Sequence, residues 1–435
     1  MNKGQKLLKE AKKIIPGGNQ LLSKRSEIFL PGLWPTYYKK AKGCKIWDLD
    51  NNMYYDFAGM GVTACVLGYA DGDVNKAIIN GLKKGSMTTL NATEEVDLAK
   101  KFLNIHKWAG MAKFCKSGGE ACMVAIRIAR AFAKKNNIAF CGYHGWHDWY
   151  LAANMKSSKN LDDQLLPGLS TKGVSNLYKE TIKPFLYNDL ESLKKLFKVK
   201  NNNIGIVIME PMRAIKPNNQ FLIEVKKIAK KNNAILIFDE ITSGFKDNYG
   251  GIHLMLDVKP DMAIFGKSIG NGYPISAIIG KKKIMQVAQE TFISSTMWTD
   301  RLGFIAANST LKKLKRFKVN KIISSYGKKI KNGWIKLAKK NKLEISISGI
   351  DAIPSFKFNY KNNLKIATFF TQEMLKVGFL ANTTLATSYA HNNSIINKYL
   401  EETDKVFKKI FYHLKNNTLS IKGEVKHSSF KRLTG

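Results

Sequence analysis

Short apolar runs alternate with helical stretches between about residues 110 and 280 of the chain. Each run has the length of one β-strand, and a stretch with helical periodicity or a loop separates it from the next. Strands that alternate with helices are typical of βαβ units. The pattern therefore predicts an α/β fold with a mostly parallel, doubly wound sheet, whose strands are Met111–Cys115, Ile138–Cys141, Ile204–Met209, Ala234–Phe238, Met262–Phe265 and Ile275–Ile279.

The pattern changes on both sides of this region. Lysine-rich amphipathic stretches such as Val319–Lys342, short apolar segments and a final helix near Asn392–Leu414 predict a smaller α+β domain. The N-terminal residues predict a helix over Lys3–Ile15 and then a hairpin. We expect an N-terminal segment, residues 1–60, that packs with the small domain. A large domain would then span residues 61–310 and the small C-terminal domain residues 311–435.

The chain is strongly basic, with 71 Lys and Arg against 33 Asp and Glu and a formal net charge of +38. The basic residues include 7 arginines, and the lysines are scattered rather than gathered in one block. Proteins that bind nucleic acids favour arginine where planar, bidentate contacts matter. A genome rich in A and T codons explains the excess of lysine and asparagine, so we expect no nucleic-acid partner. Electrostatic attraction of anionic substrates and a distant function in nucleic-acid binding stay open as alternatives.

Cysteine usage and hydropathy limit the compartment. The five cysteines form no Cys-x-x-Cys pair, which is typical of buried thiols in a reducing compartment. No apolar run approaches the roughly 20 residues that a membrane-spanning helix needs. The first ten residues lack the apolar core of a signal peptide. We therefore expect a cytoplasmic protein without a membrane partner.

Two of the predicted strands end on a chemically useful side chain. The run that ends at Phe238 is followed by Asp239, and the run Met262–Phe265 is followed closely by Lys267. Ligands in open α/β sheets bind beyond the carboxyl ends of the strands, so both side chains would border one site. A carboxylate that charges a ring nitrogen, beside a lysine that forms a Schiff base, is what pyridoxal phosphate requires. This pair predicts an enzyme that uses this cofactor.

The other strand ends add candidate contacts. Ser117, Gly118 and Gly119 open a predicted helix, whose free N–H groups would suit a phosphate, although a plain turn is the alternative. Tyr143 follows the second strand and could stack on a planar ring or pack in the core. Glu210 and Arg213 follow the third strand.

A metal site is the competing interpretation of one of these strand ends. His144 and His147 follow the second predicted strand closely and could in principle bind a metal. No further ligand set with a recognised spacing accompanies the two histidines. We therefore predict no metal.

Taken together, the strand ends resemble those of the class III (fold type I) pyridoxal-phosphate aminotransferases, and within them the glutamate-1-semialdehyde 2,1-aminomutase branch. The resemblance covers about residues 14–410. Its most specific part is the context of Asp239 and Lys267. The matching segments are Lys116–Ala121, Tyr143–Gly145, Glu210–Pro211, Phe238–Phe245 and Pro260–Pro274.

The resemblance implies a role for each matching residue. Lys267 would form the Schiff base and move protons, and Asp239 would pair with the pyridine nitrogen. Tyr143 would stack on the ring, while Glu210 would lie near the lysine and the hydroxyl side of the cofactor. Thr296 of a neighbouring subunit would join the phosphate site formed by residues 117–119, so the resemblance also implies a homodimer with shared active sites.

The segments expected to contact the substrate depart from the aminomutase pattern. These segments are Asn19–Arg25, Gly59–Gly61 and Met212–Ile215. Arg25 and Arg213 are the arginines in them, and either could bind a substrate carboxylate. The departures favour a transaminase that moves an amino group between an amino acid and an aldehyde, ketone or keto-sugar. The aminomutase of tetrapyrrole synthesis stays open as an alternative, as does a racemisation or decarboxylation with the same cofactor.

Overall fold

A computed structural model describes residues 2–157, 160–162, 164, 168–212, 214–218 and 220–428. These residues fold into two compact units. The first comprises the described parts of Met1–Asp71 and Val319–Leu433, and the second is formed by Gly72–Lys318. In chain order the strands are β1 Tyr38–Lys42, β2 Lys45–Asp48, β3 Met53–Phe57, β4 Met111–Cys115, β5 Asn137–Cys141, β6 Ile182–Pro184, β7 Ile204–Met209, β8 Ile235–Asp239, β9 Met262–Phe265, β10 Ser276–Gly280, β11 Ile345–Ser348, β12 Ser355–Phe358 and β13 Phe379–Ala381.

The α-helices surround these strands. Short 3₁₀ turns connect several of the elements, and one of them, Lys267–Gly270, directly follows β9. In chain order the helices are α1 Lys3–Ile14, α2 Met60–Thr63, α3 Gly72–Leu82, α4 Thr93–Ile105, α5 Gly118–Ala133, α6 Asp148–Leu151, α7 Leu190–Lys198, α8 Phe221–Lys231, α9 Ile252–Met255, α10 Lys282–Met285, α11 Arg301–Arg316, α12 Val319–Lys340, α13 Asn363–Lys376 and α14 Asn393–Lys415.

The second unit is built on a sheet with the strand order β4-β10-β9-β8-β7-β5-β6. Neighbouring strands from β9 to β6 pair in parallel, whereas β10 is antiparallel to both β9 and β4. The predicted α/β fold with a mostly parallel sheet is therefore confirmed. All six predicted strands are present, each within one residue of its predicted bounds.

Both faces of this sheet are covered, which explains why its strands are almost continuously apolar. Ile206 and Ile208 of β7 pack with the helix α5 on one face. Val207 and Met209 point to the other face, where they join residues of α7 and α8. Successive side chains of a strand alternate between faces, so a strand buried on both sides needs apolar residues at every position.

The edge strand β6 is not among the six strands that the sequence pattern predicts. It has three residues and ends on Pro184. Proline has no N–H for a sheet ladder and is confined to edge positions, so it argues against a central strand. The sequence pattern predicts no element for Lys156–Lys183, the segment that leads into β6. This segment lies partly outside the described residues.

The first unit contains a sheet with the order β1-β2-β3-β13 and a separate hairpin of β11 and β12. β2 and β3 pair antiparallel, as the predicted N-terminal hairpin requires, and β13 pairs with β3 in parallel. Phe57 of β3 stacks on Tyr399 of α14, with ring centroids 4.2 Å apart. The indole of Trp334 in α12 donates to the hydroxyl of Tyr399 over 3.2 Å. These aromatic contacts join strands and helices of this unit in one core.

Candidate active site

Ser117 begins the helix α5 as its N-cap residue. Its hydroxyl accepts the N–H of Glu120, and the Glu120 carboxylate accepts the N–H of Ser117 over 2.7 Å, which completes a capping box. The hydroxyl of Ser276 in β10 donates to the Ser117 carbonyl over 2.9 Å and fixes the turn on the sheet. The next two N–H groups, those of Gly118 and Gly119, belong to the first turn of the helix, where N–H groups lack an acceptor within the helix and can bind an anion.

Neighbouring side chains lie so close to Gly118 and Gly119 that neither position has room for a Cβ atom. A Cβ atom on Gly118 would lie 2.8 Å from Cδ1 of Ile241, and one on Gly119 would lie 2.7 Å from Cε1 of His147. Such distances are shorter than van der Waals contact. The first turn of α5 is therefore pressed between the loop after β8 and the loop after β5. We refer to this closely packed turn, residues 117–119, as the glycine cradle; a side chain at residue 118 or 119 would displace the neighbouring loops.

Asp239 is the last residue of β8 and is 2% exposed. Its Oδ1 accepts the backbone N–H of Ile241 over 3.0 Å, and its Oδ2 lies 2.8 Å from Nδ1 of His144. The thiol of Cys122 in α5 donates to the same Oδ2 over 3.5 Å. Burial and the neighbouring Asp239 carboxylate raise the pKa of the Cys122 thiol well above its usual value, so the sulfur keeps its proton. The carboxylate of Asp239 thus accepts hydrogen bonds from a backbone N–H and a thiol and lies beside an imidazole nitrogen.

His144 connects this carboxylate to the sheet. Its other ring nitrogen, Nε2, lies 3.2 Å from the carbonyl oxygen of Cys141. Both ring nitrogens of His144 therefore lie within hydrogen-bond distance of an oxygen atom. The ligand atoms of Cys122, His144 and Asp239 lie within 4.8 Å of one another. In the structure the three side chains are already joined by hydrogen bonds that converge on Asp239.

Lys267 directly follows Gly266 after β9, the strand beside β8. β8 and β9 are parallel, with Asp239 opposite Ile264, so both candidate residues lie at the same edge of the sheet. The Nζ atom of Lys267 donates to the hydroxyl of Thr242 over 3.0 Å. Lys267 also has a φ of +45°, in the left-handed region that residues with a side chain rarely adopt.

Tyr143 and Glu210 are held together at the ends of β5 and β7. The backbone N–H of Tyr143 donates to Oε2 of Glu210 over 3.1 Å. Gly142 precedes the tyrosine with a φ of +105°, and a Cβ atom there would lie 2.8 Å from the same carboxylate oxygen. The half-buried ring of Tyr143 meets Tyr150 edge to face at 5.8 Å. Glu210 thus helps to fix the backbone that presents Tyr143.

Thr296 begins a short 3₁₀ turn, Thr296–Thr299, and is exposed. Within its own chain this turn lies against the start of α5, because Nε1 of Trp298 donates to Oε1 of Glu120 over 3.2 Å. Nearby, the side chains of Phe292 and Met297 are 88% and 59% exposed. The role of Thr296 at the site of a neighbouring subunit stays a prediction.

The substrate roles of the two candidate arginines stay predictions. Arg25 belongs to the first unit, where its guanidinium lies over Gly17 and a Cβ atom on that glycine would be 1.9 Å from Nη2. Arg213 lies outside the described residues.

Several contacts of the site were not predicted from the sequence, and His144 was considered there only as a possible metal ligand. Thr242, His144 and Ser268 stand inside the segments that carry the resemblance, but their side-chain contacts depend on the tertiary fold. Cys122 lies one turn after the cradle, where its apolar neighbours mark it as a core residue. For His144, Thr242 and Ser268 the usable signal was position, since each of them lies three residues after a strand end.

The residues present fit pyridoxal phosphate. The glycine cradle at the start of α5 suits its phosphate, and the buried Asp239 carboxylate suits a protonated ring nitrogen. The amine of Lys267 lies at the same edge of the sheet.

In the part of the chain that the structure describes, every helix is too short or too polar to span a lipid bilayer.

Comparison with known proteins agrees with this fit. The sequence model of the family Aminotransferase class-III matches residues 32–403. The chain therefore belongs to the class III aminotransferases, which are pyridoxal-phosphate-dependent enzymes.

Two relatives show the range of activities around this chain. It is 32% identical over 360 residues to a 3-aminobutyryl-CoA aminotransferase of Cloacimonas acidaminovorans, covering 81% of this chain and 82% of that protein. It is 33% identical over 431 residues to a glutamate-1-semialdehyde 2,1-aminomutase of Wigglesworthia glossinidia brevipalpis, covering 93% and 97%. The family thus includes both an aminotransferase and an aminomutase among the relatives of this chain.

Solved structures share the fold. The FumI protein of Sphingopyxis sp. MTA144, in a form with bound pyridoxal phosphate, superposes with a TM-score of 0.85 at 24% identity, over 95% of this chain and 97% of that one. An omega-transaminase of Sphaerobacter thermophilus gives a TM-score of 0.84 at 21% identity, over 94% and 98%. The assigned fold type I architecture is thereby confirmed.

Proposed function

We propose that the chain is a transaminase that takes an amino group from one molecule and delivers it to the carbonyl carbon of another, with Lys267 as its reactive amine. The carrying observation is the placement of Lys267 and of Asp239 at the ends of adjacent parallel strands. When bound, pyridoxal phosphate supplies an electron sink for the carbon that loses its proton. The neutral amine of Lys267 would take that proton and return it, which is general acid–base catalysis.

The other residues would hold the cofactor and keep its ring charged. Asp239 would keep a proton on the ring nitrogen, since its carboxylate is buried at the strand end and is held in place by contacts with His144 and Ile241. The N–H groups of Gly118 and Gly119 would donate to the phosphate. Tyr143 would cover one face of the ring. Thr242 would accept a hydrogen bond from Lys267 whenever its amine is free.

The homodimer and the cytoplasmic location belong to the same proposal. The exposed Phe292 and Met297 flank Thr296, so a second copy of the chain would cover apolar surface on this segment and bring Thr296 to the neighbouring site. Sedimentation or light scattering of the purified protein tests the dimer. A monomer with full activity would contradict the shared site.

An assay of the half-reaction tests the function. The purified protein with pyridoxal phosphate is mixed with single amino donors, and conversion of the cofactor to its amine form is followed by absorbance. The panel includes α-amino acids, β-amino acids and, because one relative is a 3-aminobutyryl-CoA aminotransferase, a β-amino acyl thioester. A transaminase releases a carbonyl product and then needs a separate acceptor.

The aminomutase alternative gives a different result. Glutamate-1-semialdehyde would be converted to an isomer of the same carbon skeleton without any added acceptor. Fast isomerisation of that compound, with no conversion by any amino donor of the panel, would contradict the transaminase. The Lys267→Ala variant is the control, and it should be inactive in both assays.

A further inference from the structure

Two loops at the candidate active site are joined by two hydrogen bonds, each from a lysine of one loop to a hydroxyl of the other. Lys267, after β9, donates to the hydroxyl of Thr242 in the loop after β8 over 3.0 Å. Lys246, in the middle of that same loop, donates to the hydroxyl of Ser268, the residue after Lys267, over 2.6 Å. In each loop, therefore, one lysine side chain donates a hydrogen bond to a hydroxyl of the other loop. The two bonds reach consecutive residues, 267 and 268.

The Lys246–Ser268 contact is buried. Lys246 is 3% exposed and Ser268 is fully buried. Lysine is among the residues least often buried, because removing an ammonium group from water is costly unless hydrogen bonds replace the water. An apolar side chain would fill the same space without that cost. A buried lysine here therefore indicates a requirement for its hydrogen bonds rather than for its volume.

The backbone beside this contact is strained. Lys267 has a φ of +45°, and Asn271, at the end of the same 3₁₀ turn, has a φ of +46°. A side chain on a left-handed residue crowds its own backbone, so the surroundings must hold the conformation. Ser268 follows Lys267 directly, and its side chain is fixed by a group on the other loop. That bond limits the rotation of the backbone that carries the Lys267 amine.

We propose that Lys246 is a positioning residue: through Ser268 it holds Lys267 in its left-handed conformation and keeps the amine beside Thr242. The inference rests on the proposed function, in which Lys267 is the reactive amine. Lys246 acts through the backbone of the neighbouring loop and needs no contact with substrate. Loss of either partner releases the backbone at residue 267 and lets the amine move from its reactive place.

Covalent capture of the cofactor tests this directly. Cofactor-free protein is mixed with pyridoxal phosphate and quenched with borohydride after increasing times, and the modified lysine is identified and quantified by peptide mass mapping. The variants are Lys246→Met, which keeps the stem without the charge, Ser268→Ala, and the double variant. Lys281→Met is the matched control, because Lys281 forms a half-exposed ion pair with Asp261 in the same unit.

We expect each single variant to slow modification of Lys267 at least about tenfold, since small displacements of a reacting group cost one to two orders of magnitude. The double variant should be modified at Lys267 no more slowly than the slower single variant, because both substitutions remove the same hydrogen bond between Lys246 and Ser268. kcat should fall in parallel with the capture rate. Lys281→Met should react like the wild type.

The outcomes separate the inference from the function on which it rests. Capture of the wild type at a lysine other than Lys267 would refute the proposed function. Capture at Lys267 with wild-type rates in Lys246→Met and Ser268→Ala would refute the positioning role, even if their melting temperatures fall. Should Lys246→Met fail to fold, the smaller change Ser268→Ala decides, because it removes the same hydrogen bond.

Discussion

Asp239 Oδ2 and His144 Nδ1 lie 2.8 Å apart, and both side chains are buried. The pair joins the end of β8 to the loop after β5, two strand ends with the strand β7 between them. A carboxylate removed from water is costly unless charged or polar donors surround it. The backbone N–H of Ile241 and the thiol of Cys122 donate to this carboxylate and His144 lies beside it, so these groups hold the Asp239 carboxylate where it would meet the ring nitrogen of the cofactor.

Replacement of Asp239 by asparagine should therefore abolish most of the activity while the fold survives. The amide is nearly isosteric but cannot keep a proton on the ring nitrogen, which removes the electron sink. We expect kcat to fall by at least about 10²-fold, the scale of a lost acid–base or electrostatic group. Steady-state kinetics at saturating cofactor measure the effect. A variant within a few-fold of the wild type would remove Asp239 from the proposed role.

Gly119→Ala should weaken cofactor binding. The added Cβ atom would lie 2.7 Å from the ring of His147, so either the ring or the first turn of α5 must move. We expect the affinity for pyridoxal phosphate to fall about tenfold or more, roughly the loss of one charge-assisted hydrogen bond. Equilibrium dialysis measures the affinity.

The matched control for this variant is Gly72→Ala. It is at the start of α3, and an added Cβ atom there meets no atom within 4 Å. It should bind the cofactor like the wild type. Equal affinities of the two variants would show that the first turn of α5 does not form the phosphate cradle.

The sequence predicted the sheet well because both of its faces are buried. Strands such as Ile204–Met209 are apolar at every position, and such short runs stand out from the lysine-rich remainder of the chain. The edge strand β6 could not be predicted, since its three residues include a proline. The local pattern of apolar residues thus identifies the central strands but does not identify the edge strand β6.

For the candidate site, the same reasoning placed Asp239 and Lys267 at strand ends but could not find their supports. Cys122 reads as a core residue of an amphipathic helix, and Lys246 reads as one of many lysines. Their importance depends on a thiol that meets a carboxylate 117 positions away and on an ammonium that meets a hydroxyl on another loop. Contacts of this kind follow from the packing of loops, which local periodicity does not encode.

Acid should destabilise the protein partly through His106. Burial lowers the pKa of this histidine from 6.5 to about 4, although its ring nitrogens lie 3.0 and 2.7 Å from the carbonyl oxygens of Phe102 and Gly250. Between these two values the unfolded chain binds a proton that the folded chain does not. Stability therefore falls as the pH falls from about 6.5 toward 4, by about 2 kcal/mol at pH 5.

The His106→Gln variant tests this linkage. Glutamine does not titrate, so the difference between the urea midpoints at pH 7 and pH 5 should shrink relative to the wild type. Above pH 7 the two proteins should show the same dependence on pH, because His106 is neutral there in both states. An unchanged difference between pH 7 and pH 5 would assign the acid sensitivity to other groups.

Arginine usage gives the last prediction. The chain has 71 lysines and arginines, of which 7 are arginines, so we expect lysine wherever a point charge suffices and arginine only where lysine would not serve. A planar, permanently charged guanidinium is needed where a carboxylate is bound by two parallel hydrogen bonds. Arg25 and Arg213 stand in the segments that depart from the aminomutase pattern. We therefore expect Arg25→Lys or Arg213→Lys to raise the KM of a substrate that carries a carboxylate about tenfold or more, with little change in kcat.

The control for this prediction is Arg316→Lys, at the end of α11, where the guanidinium lies 5.1 Å from the centre of the Phe317 ring. This change keeps the charge and should leave KM unchanged. A thioester or amide of the same substrate, which lacks the free carboxylate, should show a smaller KM difference between wild type and the sensitive variant, because the bidentate contact is then absent in both. Unchanged kinetics in both Arg25→Lys and Arg213→Lys would mean that the substrate is recognised without a carboxylate.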